Sequence, residues 1–244
     1  MRFVAIFAAA LVFGAPVATG GTFPHFPRGC SRADFLSGAV QVPSEFCHAS
    51  HNSAPAVIVL HGCGGFSTFD HRLTTTLPSY GFATLDVDYF ARTPPPNERG
   101  FCLRGGDPLL ALATWISVVD DAQAKLHALH VQSVGIAGWS LGGDVAVAAA
   151  AGPGSPGFAA LAVFSGGPMS PTLPVATLPP TLLLFGGRTD HALIRQTRPF
   201  QRALRAVHVP LAVYVYPGGT HDWRQHQGTL GIARAATFLR AYLH

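Results

Sequence analysis

Six short stretches of this chain are apolar almost without interruption: PAVIVLHG (55–62), FATLDVDYF (82–90), QSVGIAGWS (132–140), FAALAVFSGG (158–167), TLLLFGGRTD (181–190) and LAVYVYPGG (211–219). A strand with one face in water alternates apolar and polar residues, whereas a strand covered on both faces does not, and continuous runs of this length are the mark of a parallel sheet sandwiched between helices. Helical patterns lie between the runs. In 108–130, Leu112, Trp115, Ile116, Val119, Leu126 and Leu129 form a stripe, DVAVAAAA (144–151) is alanine-rich, and TLGIARAATFLRAYLH (229–244) is amphipathic. In 199–207, Phe200, Leu204 and Val207 fall at i, i+4, i+7, with Pro199 near the expected first turn. Strand and helix in alternation imply an α/β fold, a single domain with a mostly parallel sheet flanked by helices. A chain of 244 residues, 48% hydrophobic and only 11% charged, suffices for one such core.

The chain opens on MRFVAIFAAALVFGAPVATGG, with Arg2 before an apolar run and small residues at Ala18 and Gly20. This reads as a signal peptide, residues 1–20, cut near Gly20; Gly14 and Pro16 break the run too early for a membrane span. Residues 21–37 are then an N-terminal segment and 38–244 the domain. The expected location is secreted or periplasmic, with no stable membrane insertion after signal removal. In an oxidising compartment four cysteines, Cys30, Cys47, Cys63 and Cys102, suggest disulfides. Three pairings are possible and the spacing does not choose among them; Cys30–Cys47 with Cys63–Cys102 is favoured. No CxxC occurs and the His-x-x-His pairs at 48/51 and 127/130 lack further ligands in register, so no metal is expected.

In VGIAGWSLGGD (134–144), Ser140 stands between Gly138 and Gly142 where a strand gives way to a helix. A turn that sharp leaves no room for side chains two residues before and after it, pushes the hydroxyl into a cleft, and leaves the Leu141 amide at a helix N-terminus as an oxyanion donor. A serine needs a base. His221, in YPGGTHDW after the last strand, is best placed among the twelve histidines. The base needs an acid, and Asp190, closing TLLLFGGRTD, is preferred to Asp86, Asp88, Asp144 and Asp222. The second oxyanion donor is expected at the Cys63 amide in VIVLHGCGGF (57–66); Cys63 as nucleophile is the lesser alternative, because Ser140 already occupies the elbow. The long irregular segment 91–108 carries Arg99 and Arg104, which with Trp139 are candidates for binding substrate.

Taken together and in this order, LHGCGG, GWSLGG, LLLFGGRTD and YPGGTHDW resemble the dienelactone hydrolase-like branch of the α/β-hydrolases over roughly residues 38–244. The resemblance implies an α/β-hydrolase fold and a hydrolase of esters or lactones that needs no cofactor, with Ser140 as nucleophile, Asp190 as acid, His221 as base, and Cys63 and Leu141 as oxyanion donors. Dienelactone hydrolases proper carry cysteine at the elbow, so the serine here points instead to a general exported esterase.

The formal charge of +4 comes from 16 basic residues of which Lys125 is the only lysine, and they are scattered except for Arg195, Arg198, Arg202 and Arg205 at helical spacing, a solvated helix face. No nucleic-acid footprint results. The expected partner is a small-molecule ester or lactone. A peptidase or thioesterase on the same triad, and a non-catalytic exported binding protein on a hydrolase scaffold, are the alternatives.

Overall fold

A computed structural model describes residues 27–51, 53–93, 107–152, 157–170 and 172–244. Its ten strands are β1 (Cys30–Arg32), β2 (Phe35–Ser37), β3 (Val40–Val42), β4 (Ser44–Cys47), β5 (Ala56–Leu60), β6 (Ala83–Val87), β7 (Val134–Trp139), β8 (Leu161–Phe164), β9 (Thr181–Gly186) and β10 (Leu211–Tyr216). Five helices accompany them: α1 (Thr68–Thr76), α2 (Pro108–Ala128), α3 (Leu141–Ala151), α4 (His191–Ala206) and α5 (Gln225–Arg240). Eight strands form one sheet in the order β1-β4-β6-β5-β7-β8-β9-β10, parallel from β6 to β10 and antiparallel at β4 and β1. Strands β2 and β3 pair separately as an antiparallel hairpin.

The six apolar runs are the six parallel strands; β10, at the sheet edge, is half-buried to exposed rather than covered on both faces, and the reason the other five are continuous is visible in β5. Ala56, Ile58 and Leu60 face one apolar core while Val57 and Val59 face the other, and all five are fully buried. The first core takes in Trp115 of α2, Val145 of α3 and Phe200 and Leu204 of α4; the second takes in Phe69 and Leu73 of α1 and Ile232, Ala235 and Leu239 of α5. The molecule is therefore three layers, with the sheet between α2, α3, α4 and α1, α5. Each fully buried Val, Leu or Ile contributes roughly 1.5–3 kcal/mol.

Four features depart from the sequence reading. The sheet begins at Cys30, inside the segment assigned to 21–37, because β1 pairs with β4 and the Cys30–Cys47 disulfide crosses that pair. Edge strands of three or four residues carry no usable period, so β1 to β4 leave no signal in the sequence. Helix α1 has no counterpart in the sequence reading; its N-terminus is a capping box in which Ser67 accepts from the Phe69 amide and Asp70 accepts from the Ser67 amide. Helix α4 starts at His191, so Pro199 lies in its interior rather than its first turn, and Val207 is exposed beyond its end. Helix α5 starts at Gln225 and stops at Arg240, four residues short of its expected end. The four arginines of α4 at 195, 198, 202 and 205 are all exposed.

The Cys30–Cys47 pair is bonded, and no described cysteine is a free thiol. Cys63 is disulfide-bonded; Cys102, proposed as its partner, lies outside the described residues, as do Arg99, Arg104 and the leader 1–20. Among the described residues no helix is long and apolar enough to cross a membrane.

Candidate active site

The strand order reverses direction at β5: the chain steps to β6 on one side and later to β7 on the other. Ligands of open α/β sheets sit outside the carboxyl ends of the strands at such a point. Ser140 leaves the end of β7 there with φ +54° and ψ −123°, outside the basins open to L-residues without strain. Its amide donates to the Phe164 carbonyl of β8 at 2.8 Å, and its carbonyl accepts from the Asp144 amide at 3.1 Å as α3 begins. The flanking glycines are there for space. A Cβ on Gly138 would collide with the Gly142 backbone, and one on Gly142 with the carbonyls of Leu60 and His61. Leu141 is the first residue of α3, where an amide has no acceptor within the helix.

The His221 imidazole lies with Nε2 2.9 Å from Ser140 Oγ and Nδ1 2.8 Å from Asp190 Oδ1. Serine, histidine and aspartate thus come together in one line, from three loops 31 to 81 residues apart in sequence. Asp190 is buried, stands immediately before α4 without a side-chain bond to its first turn, and also accepts from the Gly186 amide at 2.7 Å and from the Ser165 hydroxyl. Burial alone would raise this carboxyl, but the hydrogen bonds from His221, Ser165 and Gly186 outweigh it and hold the group below the ordinary carboxylate value. The other candidate acids are bonded elsewhere. Asp86 sits within β6 and accepts from Thr74 Oγ1 at 3.1 Å, Asp88 accepts from the Phe90 amide, and Asp222 pairs with Arg224. Asp144 accepts from the Gly167 amide at 2.7 Å, and burial pushes it up to about 7 against that bond and the charge of His221.

The loop that carries His221 is held from four sides. Its amide donates to Thr189 Oγ1 at 2.7 Å and its carbonyl accepts from the Trp139 indole at 2.8 Å. The Gln227 side chain bridges the amide and carbonyl of Thr220 at 2.7 and 2.9 Å, and Arg72 of α1 donates to the carbonyls of Trp223 and Gln225. Trp139, a candidate substrate residue from sequence, is half-buried and packs its ring 2.8 Å from where a Cβ on Gly62 would stand, joining the elbow, the β5 loop and the histidine loop. On the β5 side, Gly62 and Gly65 form a tight turn around Cys63, with the Gly65 amide donating to the Gly62 carbonyl at 3.1 Å. The preceding His61 is fully buried, stacks on Tyr89 at 4.4 Å, and its carbonyl accepts from the Tyr89 hydroxyl at 3.0 Å. Ser165, Tyr89, Arg72 and Gln227 have no motif spacing to the triad, so only the folded chain reveals them; the SGG that ends the fourth apolar run and Thr189, directly before Asp190 in LLLFGGRTD, are the local signals.

A hydroxyl with an imidazole behind it and a carboxylate behind the imidazole can carry acyl transfer. The fold recurs in solved structures. A dienelactone hydrolase from Anabaena variabilis superposes with a TM-score of 0.68 at 20% identity, over 88% of this chain and 100% of that one. A dienelactone hydrolase-like promiscuous phosphotriesterase from metagenomic libraries gives 0.74 at 16% identity, over 88% and 98%. A bacterial heroin esterase gives 0.66 at 16% identity, over 89% and 86%. No curated protein matches this chain in sequence. The family model of the dienelactone hydrolase family matches residues 45–240, from β4 to the last residue of α5 and across every segment of the site above. The protein is a hydrolase and belongs to the dienelactone hydrolase family.

Proposed function

We propose that this protein is an exported serine hydrolase that cleaves carboxylic esters or lactones through an acyl-enzyme on Ser140. The observation that carries this reading is the continuous hydrogen-bond line from Ser140 Oγ through His221 to Asp190. Ser140 Oγ attacks the acyl carbon while its proton passes to His221 Nε2, and Asp190 holds the Nδ1 proton and balances the imidazolium. The substrate oxygen takes up negative charge between the Leu141 and Cys63 amides. His221 then gives the proton to the leaving alcohol, and a water, deprotonated by the same imidazole, releases the acid. Cys63, being disulfide-bonded, offers no thiolate for this role. The likeness in fold to a bacterial heroin esterase accords with oxygen esters as substrates.

Export rests on the leader at residues 1–20 and on the Cys30–Cys47 disulfide, which suits an oxidising compartment. N-terminal sequencing of the protein recovered from periplasm or medium should begin near Gly21.

The deciding experiment treats the mature protein with a fluorophosphonate, maps the adduct by peptide mass, and assays short-chain p-nitrophenyl esters alongside thioesters and peptides. An adduct on Ser140 with ester turnover is the expected result. No adduct and no turnover would leave a binding protein on a hydrolase scaffold.

A further inference from the structure

Ser165 follows the last residue of β8, beside the elbow, and has φ +50°. A left-handed backbone favours glycine, and serine there is strained. Its amide is already used, donating to the Leu184 carbonyl of β9 at 2.7 Å. The side chain is buried, with Oγ bonded to Asp190 Oδ2 on one side and 2.8 Å from the Trp223 indole nitrogen on the other. Trp223 is itself fully buried and also sits at φ +50°. Two residues other than glycine thus hold a glycine-like backbone at the two ends of one hydrogen bond.

The direction of that chain is forced. An indole N–H only donates and a carboxylate only accepts, so the one hydroxyl between them must accept from Trp223 and donate to Asp190. With the Gly186 amide as well, Oδ2 is filled by donors, and Oδ1 is left for the imidazole. We infer that Ser165, braced by Trp223, is a positioning residue that locks the Asp190 carboxylate in the rotamer that faces His221. This rests on the proposed triad chemistry and extends it by two residues: the hydroxyl supplies a fixed dipole to the charged acid, and the indole keeps the hydroxyl from turning away. His221 is the titratable group that faces Asp190 from the opposite loop, with Nδ1 2.8 Å from Oδ1.

The test exploits the backbone. In Ser165→Gly the hydroxyl is lost while the φ of +50° becomes favourable, so stability and function should part. The relieved backbone offsets part of the cost of leaving the buried Trp223 indole N–H without its acceptor, so the melting temperature should fall by only a few degrees, whereas kcat on a p-nitrophenyl ester should fall about tenfold, as expected for a lost hydrogen bond to a charged group. A purely structural serine would not move the acid itself. Carbon-13 titration of the Asp190 carboxyl, assigned with Asp190→Asn, should shift upward by about one unit in Ser165→Gly. Trp223→Phe should shift it less, and the double variant should be no worse than Ser165→Gly. An unchanged Asp190 titration, or a kcat within about twofold of the parent, overturns the assignment. If the parent neither labels on Ser140 nor turns over ester, the functional reading falls, while the Asp190 titration still decides the role of Ser165.

Discussion

Two serines leave the ends of adjacent strands in this molecule, and both do so with positive φ. Ser140 leaves β7 at +54° and Ser165 follows β8 at +50°; each has its hydroxyl on a member of the same hydrogen-bond line. They differ in the backbone that succeeds them. Ser140 runs directly into α3, so it stands at a helix N-terminus and is half-exposed. Ser165 runs into the Gly166–Gly167 loop, and its hydroxyl turns inward, buried between a carboxylate and an indole. Similar backbone strain at neighbouring strand ends thus leaves one serine half-exposed and buries the other, and in the proposed function solvent access decides which can react.

The largest effect should come from the exposed serine. Ser140→Ala is expected to lower kcat by about ten-thousandfold or more and to abolish fluorophosphonate labelling; retention of most turnover would end the distinction between the two hydroxyls. Next come the glycines beside them. Gly142→Ala drives a Cβ into the Leu60 and His61 carbonyls, which are backbone and cannot yield, so a loss of about 3 kcal/mol or more in denaturant unfolding is expected. Gly166→Ala meets Ser140 O at 2.8 Å and the Asp144 carboxyl at 3.0 Å, and should cost less, about 1–2 kcal/mol. A reversed order would mean that the turn after β8 is the tighter one.

A middle-sized effect is expected from Trp139→Phe, which keeps the ring against Gly62 and removes the indole N–H that holds the His221 carbonyl. Turnover should fall about tenfold with little change in melting temperature; unchanged kinetics would show that the other ties on the loop suffice.

The smallest expected effect concerns charge behind the elbow. Asp144 titrates at about 7 in the folded chain, well above its ordinary value of 3.8. The folded state therefore holds a proton that the unfolded chain has lost between roughly pH 4 and 7, and this group's contribution to stability declines as pH rises through that window. Asp144→Asn keeps an oxygen for the Gly167 amide and removes the titration, so its stability relative to the parent should improve from pH 4 to pH 8, by at least about 1 kcal/mol. A difference independent of pH would show that the carboxyl is not the titrating group.

Much of this molecule is legible in the chain because it is local. Five of the six continuous apolar runs announce strands covered on both faces, since alternation disappears when both cores are dry; the sixth is β10 at the sheet edge, where Tyr214 and Val215 are exposed. The glycines around Ser140 mark a turn where backbone passes backbone, a requirement that no other residue type can meet. Position at a strand end is enough to single out His221 and Asp190. The edge is illegible, because β1 to β4 are three or four residues long and owe their pairing to neighbours rather than to a pattern of their own. Helix α4 looks too short in the sequence because Pro199 resembles a start, whereas the chain tolerates it in the interior of a helix whose arginines face solvent.

Composition and spacing, then, carry the layered architecture and the order of serine, acid and base, because burial and turn sterics act over a few residues at a time. Which groups hold those three in register is decided by the sheet. Ser165, Thr189, Trp139 and Arg72 meet Asp190 or the histidine loop across separations of 25 to 151 residues. A hydrogen bond depends on distance in space, and that distance exists only once β7, β8 and β9 lie side by side.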